Sequence, residues 1–177
     1  GKLLQEKYGF VTGKFLTHSI SGRFRYNADS SALEAIRRST WIRILNDGRG
    51  VQDAIWESAI YPPFRPPGDG FRDMSHPDNA CALLMSGYVL GIRPVETGYR
   101  RFEAVPHPAG LKWAKGIVPA PSGNIDFEWE FKDGDELIYT SRIRVPDGTS
   151  CKLGIPVAYF KGPYIVKINE RVIRDGT

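Results

Sequence analysis

Glu57 and His76 are the side chains of this sequence whose surroundings best suit chemistry. Glu57 closes the segment Ala54-Ile55-Trp56-Glu57, and His76 lies in Ser75-His76-Pro77, where a helix is predicted to begin. A carboxylate held beside an apolar indole can have a raised pKa and take a proton from water. A neutral imidazole can donate a hydrogen bond to a hydroxyl group. Because one carboxylate fills only one role of an acid/base pair, these residues predict part of a hydrolytic site.

Each of these residues also has a purely structural interpretation. Trp56 could stack on a sugar or fill the core, and buried indoles mostly do the latter. His76 could simply start a helix and be satisfied by backbone groups. A glutamate after a tryptophan is ordinary on its own, so the residues alone leave both interpretations open.

Composition excludes several classes of protein. The chain has 177 residues, 41% hydrophobic and 25% charged, which suits one large or two small globular domains. Its net charge of +4 comes from Lys and Arg interleaved with acids, so we expect no nucleic-acid partner. No apolar run approaches about 18 residues, and the start lacks a signal-peptide core, so we expect a soluble protein without a membrane partner. The compartment stays open between the cytoplasm and the periplasm or exterior of a bacterium.

The pattern of cysteines and histidines predicts no cofactor and no metal. Cys81 lies in an apolar helical run and Cys151 in a strand-like tail. Two such residues make no zinc pattern and no disulfide framework. A bridge between them is possible, but we expect two small buried hydrophobes. His18 and His107 have no partner in the sequence, and we interpret both as structural.

Helical signals dominate residues 1–91. Ser31 and Glu34 fit a capping box, and apolar residues at helical spacing follow until Asn46-Asp47-Gly48. The Pro- and Gly-rich stretch at 61–70 predicts a long surface loop. A second helix is predicted from Pro77 to Leu90, apolar nearly all round and so packed on every side, with Gly91 ending it.

The period changes to two in residues 99–177. Ile125, Phe127, Trp129 and Phe131 alternate with three acids, which predicts a half-buried strand with the apolar set inward. Further strands are predicted near 99–105, 111–118, 149–153 and 163–174, punctuated by Pro and Gly as in a sandwich.

These segments, in this order, resemble the C-terminal part of bacterial α-L-rhamnosidases of glycoside hydrolase family 78. The similar segments are Gly9-Phe10-Val11-Thr12-Gly13, Ala54-Ile55-Trp56-Glu57, Ser75-His76, Leu90-Gly91-Ile92-Arg93-Pro94, Gly98-Tyr99-Arg100-Arg101-Phe102, Leu111-Lys112-Trp113-Ala114-Lys115-Gly116 and Pro119-Ala120-Pro121-Ser122-Gly123-Asn124-Ile125. Together they span nearly the whole chain.

The resemblance implies an α+β chain. Residues 1–94 would hold the last helices of an (α/α)6 six-hairpin barrel, and 95–177 an antiparallel β-sandwich. The family reaction is hydrolysis of terminal α-L-rhamnosides with inversion. Glu57 then matches the general base, while His76 and Trp56 match sugar-contacting positions. The partners implied are a rhamnose-containing glycan or glycoside and an upstream catalytic region of the same polypeptide, and a homo-oligomer is possible.

Two features depart from the family pattern. Asp53-Ala54 stand where the family has two threonines, and the family's general acid lies upstream of the part that this sequence resembles. We therefore expect the chain to be inactive alone. The alternative is a noncatalytic carbohydrate-binding or interaction module whose working part is the sandwich.

Overall fold

The computed structural model describes residues 13–37 and 81–176 of the chain. Helix α1 covers Gly13–Arg25 and α2 covers Asp29–Arg37. Helix α3, Cys81–Leu84, continues directly into a π-helix over Met85–Leu90. The strands that follow are β1 Ile92–Pro94, β2 Arg101–Ala104, β3 Trp113–Ala120, β4 Gly123–Lys132, β5 Ile138–Arg144, β6 Ser150–Leu153, β7 Tyr164–Ile168 and β8 Arg171–Gly176. Single 3-10 turns lie at Thr97–Tyr99 and Val157–Tyr159.

The helical hairpin of α1 and α2 differs from the prediction at its start. The sequence predicted a first helix from Ser31, but α1 precedes it and α2 begins at Asp29. A carboxylate in the first turn is favoured by the positive end of the helix dipole, and Asn27 adopts φ 56° in the turn between the helices. Among residues 17–25 of α1, Ile20 and Phe24 are buried in the core and lie one turn apart.

The predicted helix from Pro77 to Leu90 is corrected in two ways, while residues 77–80 lie outside the described part. Only 81–84 are α-helical, and six residues of π-helix follow. The hydroxyl of Ser86 donates to the carbonyls of Ala82 and Leu83 over 2.9 and 3.3 Å, which competes with regular backbone bonding. The expected burial on all sides is wrong at Leu83, whose exposed fraction is 66%. Apolar composition alone does not place a neighbour against every face.

Gly91 ends this helix as predicted. Its φ is 100°, and its amide donates to the carbonyl of Ser86 over 3.1 Å. A Cβ atom here would come within 2.5 Å of the backbone of Val105 and Pro106. The position therefore needs glycine both for its left-handed conformation and for a close chain crossing.

The strands form two three-stranded sheets and a separate hairpin. The first sheet has the order β1-β2-β6, the second β3-β4-β5, and β7 pairs with β8. The prediction of an antiparallel fold holds for β1–β2, β3–β4, β4–β5 and β7–β8, but β2 and β6 are parallel. A parallel pair requires a long crossover, and here the whole second sheet supplies it.

The core joins helices and sheets. Ile125, Phe127, Trp129 and Phe131 of β4 are buried with exposed fractions of 0, 1, 2 and 8%, which confirms the predicted inward set. They share one cluster with Phe24 of α1, with Leu84 and the π-helix, and with Ile92 and Phe102 of the first sheet. The mainly β architecture is consistent with a C-terminal sandwich domain. That the helices belong to a six-hairpin barrel stays a prediction.

Candidate functional site

The site residues predicted from the sequence are Glu57, Trp56 and His76. All three lie outside the described residues, so their grouping in one cleft stays a prediction. The structure does describe the elements on both sides of them in sequence. Helix α2 ends at Arg37 and α3 begins at Cys81. Helices α1 and α2 and the π-helix contact one another and the strands through side chains around Tyr88.

Tyr88 is the centre of those contacts. Its ring stacks on Phe24 of α1, with centroids 4.9 Å apart and planes 7° from parallel. Its hydroxyl shares a hydrogen bond of 2.9 Å with the hydroxyl of Ser21 and accepts one of 3.2 Å from Nε of Arg25. The buried ring thus binds the π-helix to α1 through both its face and its polar tip. We call Ser21, Phe24, Arg25, Tyr88, Arg93 and His107 the Tyr88 cluster.

Arg93 connects the cluster to the first sheet. Its guanidinium lies over the ring of Tyr88, 4.9 Å from the centroid, which is a favourable cation–π distance. Nε donates to Oε1 of Glu103 on β2 over 2.8 Å, and another guanidinium nitrogen donates to the carbonyl of Gly87 over 2.7 Å. One side chain therefore holds the end of the π-helix to two strands.

His107 and Asp29 form a second link. Nδ1 of His107 lies 2.9 Å from Oδ1 of Asp29, the first residue of α2. Because a carboxylate only accepts, Nδ1 carries the proton in this bond. Both side chains are largely buried, with 13% and 15% exposed. The imidazole also meets the rings of Phe24 and Tyr88 edge-on, each at 5.7 Å.

No sequence pattern predicted this pair. His107 stands between two prolines, and its partner precedes it by 78 positions. Nothing in local spacing couples residues that far apart. Tyr159 lies in the same region. Its hydroxyl accepts a hydrogen bond of 2.8 Å from the backbone amide of Ala109. Burial, and then the charge of Asp29, raises the pKa of Tyr159.

The electrostatics of Tyr88 follow from its partners. Burial is the largest single influence and raises its pKa. The hydrogen bonds with Ser21 and Arg25 and the charges of Arg25 and Arg93 act in the other direction and together prevail, so the pKa of Tyr88 is lowered. The polar groups of the Tyr88 cluster bond to one another and to Asp29, Glu103 and the carbonyl of Gly87, so the cluster fixes the helices to the sheets.

The described ranges show neither a metal-ligand set nor a membrane span. In residues 13–37 and 81–176, no group of three or more His, Cys, Asp or Glu side chains comes together as metal ligands would. No helix in these ranges is long and apolar enough to cross a membrane. Cys151 is a free thiol, and burial raises its pKa.

The fold and its contacts define a mainly β domain that packs against the helices preceding it in sequence. Residues 91–161 match the family model of the bacterial alpha-L-rhamnosidase C-terminal domain. The match confirms the resemblance to the C-terminal part of bacterial α-L-rhamnosidases that the sequence motifs indicated.

Among solved structures, the chain is similar to a GH78 family rhamnosidase of Bacillus sp. GL1. The two are 24% identical, with a TM-score of 0.49, over 78% of this chain and 16% of that chain. The chain thus spans a small part of the length of that protein. A comparison with curated proteins gave no match.

Proposed function

We propose that this chain is the C-terminal portion of an inverting glycoside hydrolase that acts on terminal α-L-rhamnosides and that it is inactive alone. The observation that carries the proposal is the family match over residues 91–161, directly after the helix that ends at Gly91. In the proposed division, residues 1–94 are the last helices of a catalytic barrel and 95–177 its sandwich. The substrate is then a rhamnose-containing glycan or glycoside.

In the proposed mechanism, Glu57 is the general base. Its carboxylate takes a proton from a water molecule as that water attacks the anomeric carbon from the face opposite the leaving group. A second carboxyl group, supplied by an upstream region of the polypeptide, protonates the leaving oxygen. Inversion requires roughly 6.5–9.5 Å between the two carboxyl groups, so that the water fits. His76 donates to a sugar hydroxyl, and Trp56 lines the same pocket.

The Tyr88 cluster supports the proposal structurally. In sequence, Glu57 and His76 lie in the segment between α2 and α3. The stack of Phe24 on Tyr88 and the bond of His107 to Asp29 tie the helices on either side of that segment to one core. A site carried between two such helices needs both to be held in place, because small displacements of catalytic groups lower rates steeply.

The test is hydrolysis of an aryl α-L-rhamnoside by the 177-residue chain and by the full product of its gene. The short chain should release no aryl alcohol, because each acid/base role contributes typically 10²–10⁴-fold. In the long form, Glu57→Gln should lower kcat by about that factor. The matched control is Glu136→Gln, an exposed carboxylate in the loop between β4 and β5, which should leave kcat unchanged.

Two outcomes would contradict the proposal. Turnover by the short chain that vanishes with Glu57→Gln would show that both catalytic groups are present in it. Turnover by the long form that is indifferent to Glu57→Gln would show that another residue is the base. The stereochemistry of the first-formed sugar, read by NMR, separates inversion from retention.

A further inference from the structure

The outer face of the second sheet carries an exposed indole. Trp113 lies on the edge strand β3, and 66% of it is exposed. Tryptophans in folded proteins are highly buried on average, so an indole with two thirds of its surface in water is unusual for its residue type. The inward set of this sheet is complete without it, since Phe131 and Trp129 of β4 fill the core side. Trp113 therefore contributes little to the core described above.

Hydrogen-bonding side chains continue the row that Trp113 begins. Trp113 pairs across the sheet with Glu130 of β4, and Glu130 pairs with Thr140 of β5. Opposed side chains project from the same face of a sheet, so the three form one line about 10 Å long. Glu130 and Thr140 are exposed, and Nζ of Lys132 lies 3.4 Å from Oε2 of Glu130. Together with Lys132, the row therefore offers an apolar ring, a carboxylate, an amine and a hydroxyl.

The cations of this face are paired with carboxylates. Glu128 lies 3.0 Å from Lys115 and 3.6 Å from Arg142, and Asp126 lies 3.5 Å from Arg144. The hydrogen bond with Lys115, and then its charge, keep the pKa of Glu128 below its usual range. A polyanion such as nucleic acid needs a surplus of unpaired cations along its path, and these cations already have carboxylate partners.

We infer that this face is a binding surface for neutral glycans, with Trp113 as its stacking platform and Glu130, Lys132 and Thr140 as its polar contacts. A pyranose has an apolar face of C–H bonds and an edge of hydroxyls. The negative face of an indole attracts the C–H bonds of the sugar. A carboxylate, an amine and a hydroxyl can form hydrogen bonds with the sugar hydroxyls. A neutral sugar needs no unpaired charge on the protein, which agrees with cations that already have carboxylate partners. The inference uses only residues of β3, β4 and β5 and gives no role to Glu57, so it goes beyond the proposed hydrolysis and does not depend on it.

The experiment measures binding by the 177-residue chain. The probes are a neutral oligosaccharide with terminal α-L-rhamnose, a neutral glucan oligosaccharide, and dextran sulfate. The readout is the ¹H–¹⁵N shift of the indole of Trp113, assigned with Trp113→Phe, together with calorimetric Kd values. Circular dichroism of each variant checks that the fold is kept. Trp113→Ala should weaken binding of a neutral probe about tenfold or more, the usual loss for an aromatic anchor at an interface.

The control is Ile165→Ala on β7. Ile165 is 60% exposed, close to the exposure of Trp113, but it lies on the separate hairpin. Its Kd should match that of the unchanged chain, and Trp113→Phe should retain most of the affinity. Neutral-glycan binding that survives Trp113→Ala would overturn the inference, as would binding of dextran sulfate alone or of neither neutral probe.

The full gene product supplies the remaining test. If Trp113 there is protected from a soluble fluorescence quencher in the absence of sugar, another part of the polypeptide covers this face, and the inference is overturned. If Trp113 stays accessible to the quencher, the two substitutions can be compared in the full gene product. Loss of glycan binding with Trp113→Ala, and loss of turnover alone with Glu57→Gln, would show that binding and hydrolysis belong to different surfaces. Loss of hydrolysis in every form, with binding intact, would contradict the proposed function alone.

Discussion

The indole nitrogen of Trp129 donates a hydrogen bond to the backbone carbonyl of Val89 over 3.1 Å. Trp129 is in the middle of β4, and Val89 is in the π-helix, where a regular helical bonding pattern is interrupted. The bond therefore satisfies a carbonyl near the end of a helix with a side chain from the centre of the second sheet. The bond therefore holds the C-terminal end of the π-helix against β4.

Replacing Trp129 with alanine should destabilise the protein severely. The side chain is 2% exposed, and its loss leaves a large cavity next to Phe131 as well as an unpaired carbonyl. We expect the free energy of unfolding to fall by about 3–5 kcal/mol. Urea unfolding followed by near-UV circular dichroism measures this. Trp113→Ala, which removes an exposed indole, should change the same quantity by less than about 1 kcal/mol.

Tyr88→Phe should isolate the polar part of the helix–sheet junction. The ring and its stack on Phe24 remain, while the hydrogen bonds with Ser21 and Arg25 are lost. We expect a loss of about 1–2 kcal/mol in the free energy of unfolding. In a double-mutant cycle with Ser21→Ala, the two effects should be less than additive, because they remove the same bond. Full additivity would show that the two hydroxyls do not interact in solution.

Gly91→Ala should be much worse than Gly110→Ala. Both glycines have positive φ, 100° and 84°, so each substitution carries the strain of a left-handed conformation, roughly 1–2 kcal/mol. At Gly91 the new methyl group would also meet the backbone of Val105 and Pro106, whereas nothing lies within 4 Å at Gly110. Thermal unfolding of the two variants separates strain from crowding. Equal melting temperatures would contradict the close chain crossing.

Tyr139 should make the protein sensitive to alkali. Burial raises its pKa to about 12, despite a small opposing effect of nearby Ser141. An unfolded tyrosine ionises near ~10. The folded state therefore resists ionisation, so this contribution to stability is fully present below about pH 10 and is lost as the pH rises towards 12. Tyr139→Phe should flatten the fall in the free energy of unfolding over that window, measured as the difference between the two proteins.

The same substitution should not weaken the protein at neutral pH. Within the described residues, the buried hydroxyl of Tyr139 makes no hydrogen bond of ordinary geometry. Removing an unsatisfied buried hydroxyl while keeping its ring is neutral or stabilising by about 1 kcal/mol. A clear loss of stability at pH 7 would mean that the hydroxyl is satisfied in solution, by water or by a neighbour.

Local pattern predicted the strands well and their partners poorly. The inward set of β4 follows from strict alternation, because a strand with one buried face must alternate. The parallel pairing of Phe102 with Cys151 was not predictable, since neither strand carries a mark of its neighbour's direction. The bond between His107 and Asp29 was missed for the same reason. Chemistry between distant residues is set by the way the core closes, which no local spacing records.

The parallel pairing of β2 with β6 has a consequence for synthesis. A ribosome delivers β2 well before β6, because all of β3, β4 and β5 lie between them. During that interval, the strand edge of β2 that β6 will occupy is open, and open edges are sites of aggregation. The nascent first sheet is thus completed late, by a strand that arrives only after the second sheet has been made. A chain truncated before Ser150 should therefore aggregate through the open edge of β2 and should not form a smaller stable domain.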